Sequence, residues 1–119
     1  MDDRHTRKFQ KELNAGLVAL VLLAVLDASS EDLYGYEIAK RLQRANEGEA
    51  LFKEGTVYPV LRSLSAEGFL RSYLEPSDVG PARRYYRITK EGRALLKQWS
   101  GTWRQTRNFV DRFLQGVDP

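Results

Sequence analysis

The sequence predicts a mostly α-helical domain with a small β-hairpin that ends in one long helix. Three observations point to it. Apolar residues recur at three- and four-residue intervals in three separate stretches before Gly68, the period of helices with a buried face. Two short aromatic and β-branched runs follow, separated by Pro76-Ser77-Asp78-Val79-Gly80-Pro81-Ala82, which reads as a hairpin with a long loop. From Thr89 to about Leu114, large apolar residues return to helical spacing over roughly 25 residues, a rod of about 37 Å.

Composition narrows the chemistry before any element is placed. With 119 residues, 42% hydrophobic and 29% charged, the chain has the make-up of one folded domain. It has no cysteine, so disulfides, thiolate zinc sites and a thiol nucleophile are excluded, in keeping with a reducing, cytoplasmic setting. The one histidine, His5, lies in a polar N-terminal stretch. His or Cys metal chemistry has no ligand set, a Ser-His-Asp arrangement has no well-placed base, and no cofactor is implied. The apolar run Leu17 to Leu26 is about half of a bilayer span and reads as a buried helix, not a membrane anchor. A net charge of +3 and a pI near 9.3 permit a nucleic-acid partner without establishing one.

Residues 1–12 mix acids and bases (Asp2, Asp3, Arg4, Arg7, Lys8, Lys11) around Phe9 and read as a tail or a frayed helical arm. The first helix starts at Leu13, with Leu13, Leu17, Leu20, Val21 and Ala24 on one face, and closes in Asp27-Ala28-Ser29-Ser30. Val18, Leu22, Val25 and Leu26 lie round the cylinder, so the helix should be covered on several sides. Leu33 to Leu42 opens a second helix with Ile38, Ala39 and Leu42 inward and Lys40, Arg41 and Arg44 outward, and the pattern breaks at Asn46 to Gly48. A third helix runs from about Glu54 to Glu67 and stops at Gly68, a residue suited to a left-handed C-terminal position. Val57, Val60, Leu61 and Leu64 form its buried stripe and Thr56, Pro59, Arg62, Ser63 and Ala66 face out. Pro59 lacks a backbone donor, so either this helix begins later with Thr56 as its cap, or its first turn is distorted.

The extended runs are Phe69 to Glu75 and Arg83 to Thr89. Thr89 then caps the last helix, in which Leu96, Trp99, Trp103, Thr106, Val110 and Phe113 repeat at near-heptad spacing. Such a helix overhangs the core of a small domain, and its distal half needs an apolar partner surface. A second copy of the chain is the economical partner.

Helix, helix, turn, helix, β-hairpin and long helix, in that order, make a winged helix-turn-helix domain over residues 13–89 followed by a C-terminal dimerisation helix over 90–119. In that architecture the third helix enters the major groove of double-stranded DNA while the wing follows the backbone or the adjacent minor groove. The third helix offers Thr56, Tyr58, Pro59, Arg62 and Ser63. Arginine can grip guanine O6 and N7 with two bonds, and small neighbours let the helix sit deep. Arg83 and Arg84, beside the Gly80-Pro81 turn, have the reach for phosphates, although strand alternation must send one of them elsewhere. Tyr36 and Lys40 can bond phosphates from the exposed side of the second helix. From Leu33 to Arg93 there are eleven basic and eight acidic residues, against four and six over residues 1–32. The small excess falls on the DNA-facing elements, so affinity should depend on two subunits acting together.

Four segments in order, Leu33-Tyr34-Gly35-Tyr36-Glu37-Ile38, Glu54-Gly55-Thr56-Val57-Tyr58-Pro59-Val60-Leu61-Arg62-Ser63-Leu64, Glu67-Gly68-Phe69-Leu70, and Arg84-Tyr85-Tyr86-Arg87-Ile88-Thr89 followed by Glu91-Gly92, resemble the signature of the PadR family of transcriptional regulators. The resemblance covers about residues 13–103. It implies a homodimeric repressor of a pseudo-palindromic operator, often released by a small effector such as a phenolic acid or planar drug. The single short C-terminal helix resembles the family's compact subgroup. There a cavity at the dimer interface is lined by aromatics of that helix, so Leu96, Trp99, Trp103, Val110 and Phe113 are implied as dimer interface or effector site.

Each assignment has a plainer rival. The outer face of the third helix and the Arg83-Arg84 pair could be ordinary solvated surface, Tyr58 could pack against the wing, and Tyr34, Tyr85 and Tyr86 suit core or hairpin packing. Trp99 and Trp103 suit a dimer core before a ligand box, though flat rings are what a planar ligand stacks on. A winged-helix module that docks on protein instead of DNA would call for an apolar or acidic outer face on the third helix, which Thr56, Arg62 and Ser63 do not supply. An enzyme would need a base beside a nucleophile, and the core helices offer none.

Overall fold

The computed structural model describes residues 3–45 and 53–117. Its elements are α1 (Asp3–Ala28), β1 (Leu33–Tyr34), α2 (Gly35–Ala45), α3 (Glu54–Ala66), β2 (Leu70–Glu75), β3 (Arg83–Ile88) and α4 (Lys90–Leu114). This is the expected helical frame with its hairpin. The break at Asn46 to Gly48 and the Arg44 side chain lie outside the described residues.

α1 begins at Asp3, ten residues before the expected start at Leu13. Of the two alternatives for the N-terminal segment, helix is the one observed for residues 3–12. The segment is polar but holds no turn residue, its Arg, Lys, Gln and Glu are good helix formers, and Gln10 donates to Asn14 across one turn at 2.7 Å. The inward face also differs from the one predicted. Val18, Leu22, Leu23 and Leu26 are buried, whereas Leu13 is 40% exposed and Leu17, Leu20 and Val21 are only half-buried. α1 therefore has two apolar faces, one in the core and one turned along α4. The helix is long enough, and apolar enough over an 18-residue window, to cross a membrane, beyond the ten-residue run counted from sequence. The core face and the packing along α4 give that apolarity another use.

Around the core face of α1 gather Ile38, Ala39 and Leu42 of α2, Val57, Leu61 and Leu64 of α3, and Leu33, Leu70, Tyr86 and Ile88 of the sheet. The sheet has three antiparallel strands in the order β1-β3-β2, not two. Leu33 pairs with Tyr86 and Tyr34 with Tyr85, while β2 runs against β3 from Leu70↔Ile88 to Glu75↔Arg83. Two residues are too few to show alternation, so Leu33-Tyr34 read as helix in the sequence.

α3 starts at Glu54 with Lys53 as its extended N-cap, and no side chain caps it. Thr56 is thus inside the helix, not its cap. The amides of Thr56 and Val57 both reach the Lys53 carbonyl, at 2.9 and 3.1 Å, a tightened first turn. Pro59 removes the donor that would have met the Gly55 carbonyl, and Gly55 itself has open space around it. The helix closes as the amide of Phe69 returns to the Leu64 carbonyl at 2.9 Å around Gly68, whose φ is +87°.

Thr89 joins three elements. Its hydroxyl accepts from the Gly92 amide at 3.0 Å, capping α4, and lies 2.8 and 3.0 Å from the carbonyls of Gly68 and Phe69. A Cβ at Gly92 would overlap the Phe69 carbonyl and crowd Ile88. Gly92→Ala should therefore destabilise the fold by about 1–3 kcal/mol, because backbone on both sides must shift. Urea unfolding followed by far-UV circular dichroism checks this, and an unchanged midpoint would contradict the close approach.

Candidate nucleic-acid interface

β1 ends after Tyr34, so on that side of the sheet Arg83 and Arg84 have no strand neighbour. A cleft of about 470 Å³ opens there, between the start of α2, the outer side of α3 and the wing loop. Tyr36, Tyr58, Arg62, Arg83 and Arg84 all line it. Five of the nine residues chosen from sequence for DNA are thus brought to one concavity carrying three guanidinium groups. Lys40 sits beside it, its Nζ 5.3 Å from the Tyr36 ring centre. Thr56, Pro59 and Ser63 are exposed on α3 but do not line the cleft.

Alternation separates the two wing arginines by face. Arg84 shares the face of Tyr86 and Ile88, and its Nη1 donates to Ser72 at 3.1 Å. Arg83 belongs to the opposite face, with Tyr85 and Arg87, yet it folds over the Tyr34 ring at 4.7 Å and so reaches the cleft as well. Tyr86 forms the floor, and burial pushes its hydroxyl pKa up against the opposing pull of Arg84 and Arg62. Tyr58 is half-buried. Its ring packs where a Cβ at Gly35 would stand, 2.8 Å away, so a glycine there lets α3 approach the start of α2.

The outer face of the sheet carries a cluster that sequence reasoning missed. The Asp32 carboxylate accepts from Tyr73 Oη at 2.6 Å and from Arg87 at 2.9 and 3.1 Å. It ties both wing strands to the segment entering β1. Arg87, first of all, holds the Asp32 pKa below its ordinary value, with Tyr73 adding to the effect. Tyr73 lies on Tyr85, 5.7 Å between ring centres, and Tyr85 on Tyr34 at 5.7 Å. The β2–β3 register sets Tyr73 against Tyr85, and the register of β1, invisible in the sequence, adds Tyr34 to the row.

At the other end of the molecule, α4 runs antiparallel to α1, with Arg93 Nε 3.3 Å from Asp27. Leu96 and Trp99 pack against the chain's own core. Trp99 and Trp103 line an apolar groove of about 430 Å³ with Leu13, Leu17 and Leu20 of α1. Further out, Val110 and Phe113 are exposed, 44% and 73%, beside Phe109 and Leu114. The stripe of α4 is therefore divided between the core, the groove and open surface.

The family model described as the PadR-like family of transcriptional regulators matches residues 22–98. The chain is 36% identical over 93 residues to the transcriptional regulator Rv3488 of Mycobacterium tuberculosis, covering 77% of each. Among solved structures it resembles a PadR family transcriptional regulator from Eggerthella lenta, with a TM-score of 0.80 at 29% identity over 96% of both chains. A transcriptional regulator from Clostridium thermocellum gives a TM-score of 0.77 at 31% identity, over 87% of this chain and 98% of that one.

The Asp32 hydrogen bond raises the Tyr73 pKa from 10.0 to about 12. A raised pKa means that its stabilising contribution is whole below the ordinary tyrosine value and is lost as pH climbs toward the folded one. In an absorbance titration at the phenolate band, Asp32→Ala should move one late-titrating tyrosine down toward the ordinary value. An identical titration curve in the variant would exclude the Tyr73–Asp32 bond.

Proposed function

Because the chain belongs to the PadR-like family of transcriptional regulators, DNA-binding proteins that are typically dimers and not enzymes, we propose that it acts as a homodimeric repressor of a pseudo-palindromic operator. The observation that carries this reading is the cleft between α3 and the wing, where Arg62 of α3 meets Arg83 and Arg84 of β3. Arg62 on the outer face of α3 reads guanine in the major groove, with Thr56, Tyr58, Pro59 and Ser63 as close neighbours. Arg83, Arg84 and Lys40, the last with Tyr36 beside it, engage phosphates and fix the register. A regulator of this kind works in the cytoplasm, beside the chromosome.

The second subunit covers the distal stripe of α4, Val110 and Phe113, together with the outer apolar face of α1. Two recognition helices then meet two half-sites about one helical turn apart. The groove bearing Trp99 and Trp103 is the seat for a small, flat aromatic effector, since its walls are apolar and two indole rings offer stacking faces. An effector seated between the long helices would change the spacing of the two recognition helices, which is how its binding would release the operator.

Fluorescence anisotropy with the duplex upstream of the coding sequence, against a scrambled duplex over a salt series, tests the reading. Specific binding should fall with salt at a log–log slope near −7, as for about eight neutralised phosphates shared by two subunits. Binding to neither duplex would favour docking on protein. Arg62→Ala should weaken specific binding by about 1–3 kcal/mol and leave random DNA almost unchanged, whereas an equal loss on both would make it a phosphate contact. Val110→Asp should shift sedimentation toward monomer, because it would bury an unpaired charge, and an unchanged profile would exclude this dimer.

A further inference from the structure

Two of the cations assigned to the DNA backbone do not stand alone in solvent. Lys40 Nζ lies 5.3 Å from the centre of the Tyr36 ring, and the Arg83 guanidinium 4.7 Å from that of Tyr34. The two rings are themselves stacked, with centres 6.2 Å apart and planes within 24°. Behind them Tyr85 packs against Tyr34 at a tilt of 52° and stacks on Tyr73, whose hydroxyl donates to the Asp32 carboxylate. A ring face is negative and attracts a cation, so each tyrosine restricts where its partner's charge can go.

Resting on the DNA-binding reading above, we propose that Tyr34 and Tyr36 form an aromatic platform that presents Arg83 and Lys40 as a preset pair of cations for successive phosphates of one DNA strand. Arg83 comes from the wing and Lys40 from α2. The platform thus spans the boundary between two elements that DNA must engage together. A ring face uses no hydrogen-bond donor, and among the described residues nothing accepts a bond from the Arg83 guanidinium. Its N–H fork is held in place and still available to phosphate oxygens. Arg87, two positions past Tyr85, has the opposite fate: Asp32 occupies its Nε and one terminal nitrogen. The same face therefore commits one arginine to the fold and holds another ready for a ligand. Tyr34 and Tyr36 are positioning residues, acting through the cations they hold. Presetting lowers the ordering cost that long, flexible cations otherwise pay on binding.

The test is a double-mutant cycle read by anisotropy on the promoter duplex and a scrambled duplex, at several salt concentrations, with circular dichroism reporting the fold. Tyr34→Leu and Arg83→Ala should each weaken both duplexes by about 3- to 30-fold. Each should also make the salt slope shallower by about 1.8, for one phosphate lost per subunit. Tyr34→Phe, which keeps the ring, should bind like the parent, and Tyr34→Leu should add nothing once Arg83 is alanine. Parental binding by a folded Tyr34→Leu protein, or losses that simply multiply, would overturn the platform and leave the DNA reading standing. Should Tyr34→Leu unfold, the cycle of Tyr36→Leu with Lys40→Ala decides in the same way, since the Tyr36 side chain lies outside the core. A parent protein that binds neither duplex removes the DNA reading and the platform with it.

Discussion

Gly92 is the point where α4 joins the rest of the molecule, and the fit there is closer than any side chain allows. The Phe69 carbonyl occupies the space of its Cβ, Ile88 crowds the same spot, and Thr89 one turn earlier ties the α4 amides to the carbonyls of Gly68 and Phe69. Because Phe69 also closes α3 through its amide, the end of α3, the start of β2 and the beginning of α4 are one backbone knot. A rod of 25 residues magnifies a small tilt at its base into a large displacement at its tip. The direction of α4, and with it the position of any partner seated on its distal half, is therefore set within these few residues.

α1 answers to that geometry from the other side. Its core face would satisfy a helix of half its length, but α1 extends back to Asp3, and Leu13, Gly16 and Leu17 line the groove with Trp99 and Trp103. In one subunit this arrangement leaves Phe9 of α1 exposed, and with it Phe109, Val110, Phe113 and Leu114 at the end of α4. The proposed dimer accounts for that surface. It also gives the tryptophan groove a closed side, since a groove between two helices becomes an enclosed pocket only when something lies over it.

Elements with many residues of one period were legible in the sequence. α3 and α4 fell within a residue of their expected ends, because Gly68 and Thr89 act as local stop and start signals whose chemistry does not depend on distant contacts. What could not be read was set at long range. β1 holds only two residues and exists because β3 lies beside it, and the inward face of α1 depends on which of two apolar sides meets α2 and α3. Residues 1–12 read as a tail or a frayed helical arm, because a polar segment with one large apolar residue, Phe9, shows no period that decides between the two. At the cleft, residue types pointed to Arg62, Arg83 and Arg84, but their convergence depends on β1 stopping short. Asp32 carried no signal at all: its partners Tyr73 and Arg87 lie 41 and 55 residues away.

Charge alone would make this a weak ligand for DNA, since the excess over Leu33 to Arg93 is only three positive charges, eleven against eight. Under the proposed function, geometry has to make up for the shortage. Asp32 draws one arginine into the fold, which lowers the field on the outer face but anchors both wing strands. Arg62, Arg83 and Arg84 are gathered at one cleft, and Arg83 and Lys40 rest on tyrosine rings. A protein built this way gains little from undirected attraction to phosphate, so random DNA should hold it weakly. Under the proposed function its affinity would come from having several preset groups meet one backbone path at once, a condition that a symmetric dimer would meet twice. Discrimination between sites would follow from the same proposed arrangement, because a duplex whose backbone departs from that path would lose the phosphate contacts together with the base contact proposed for Arg62.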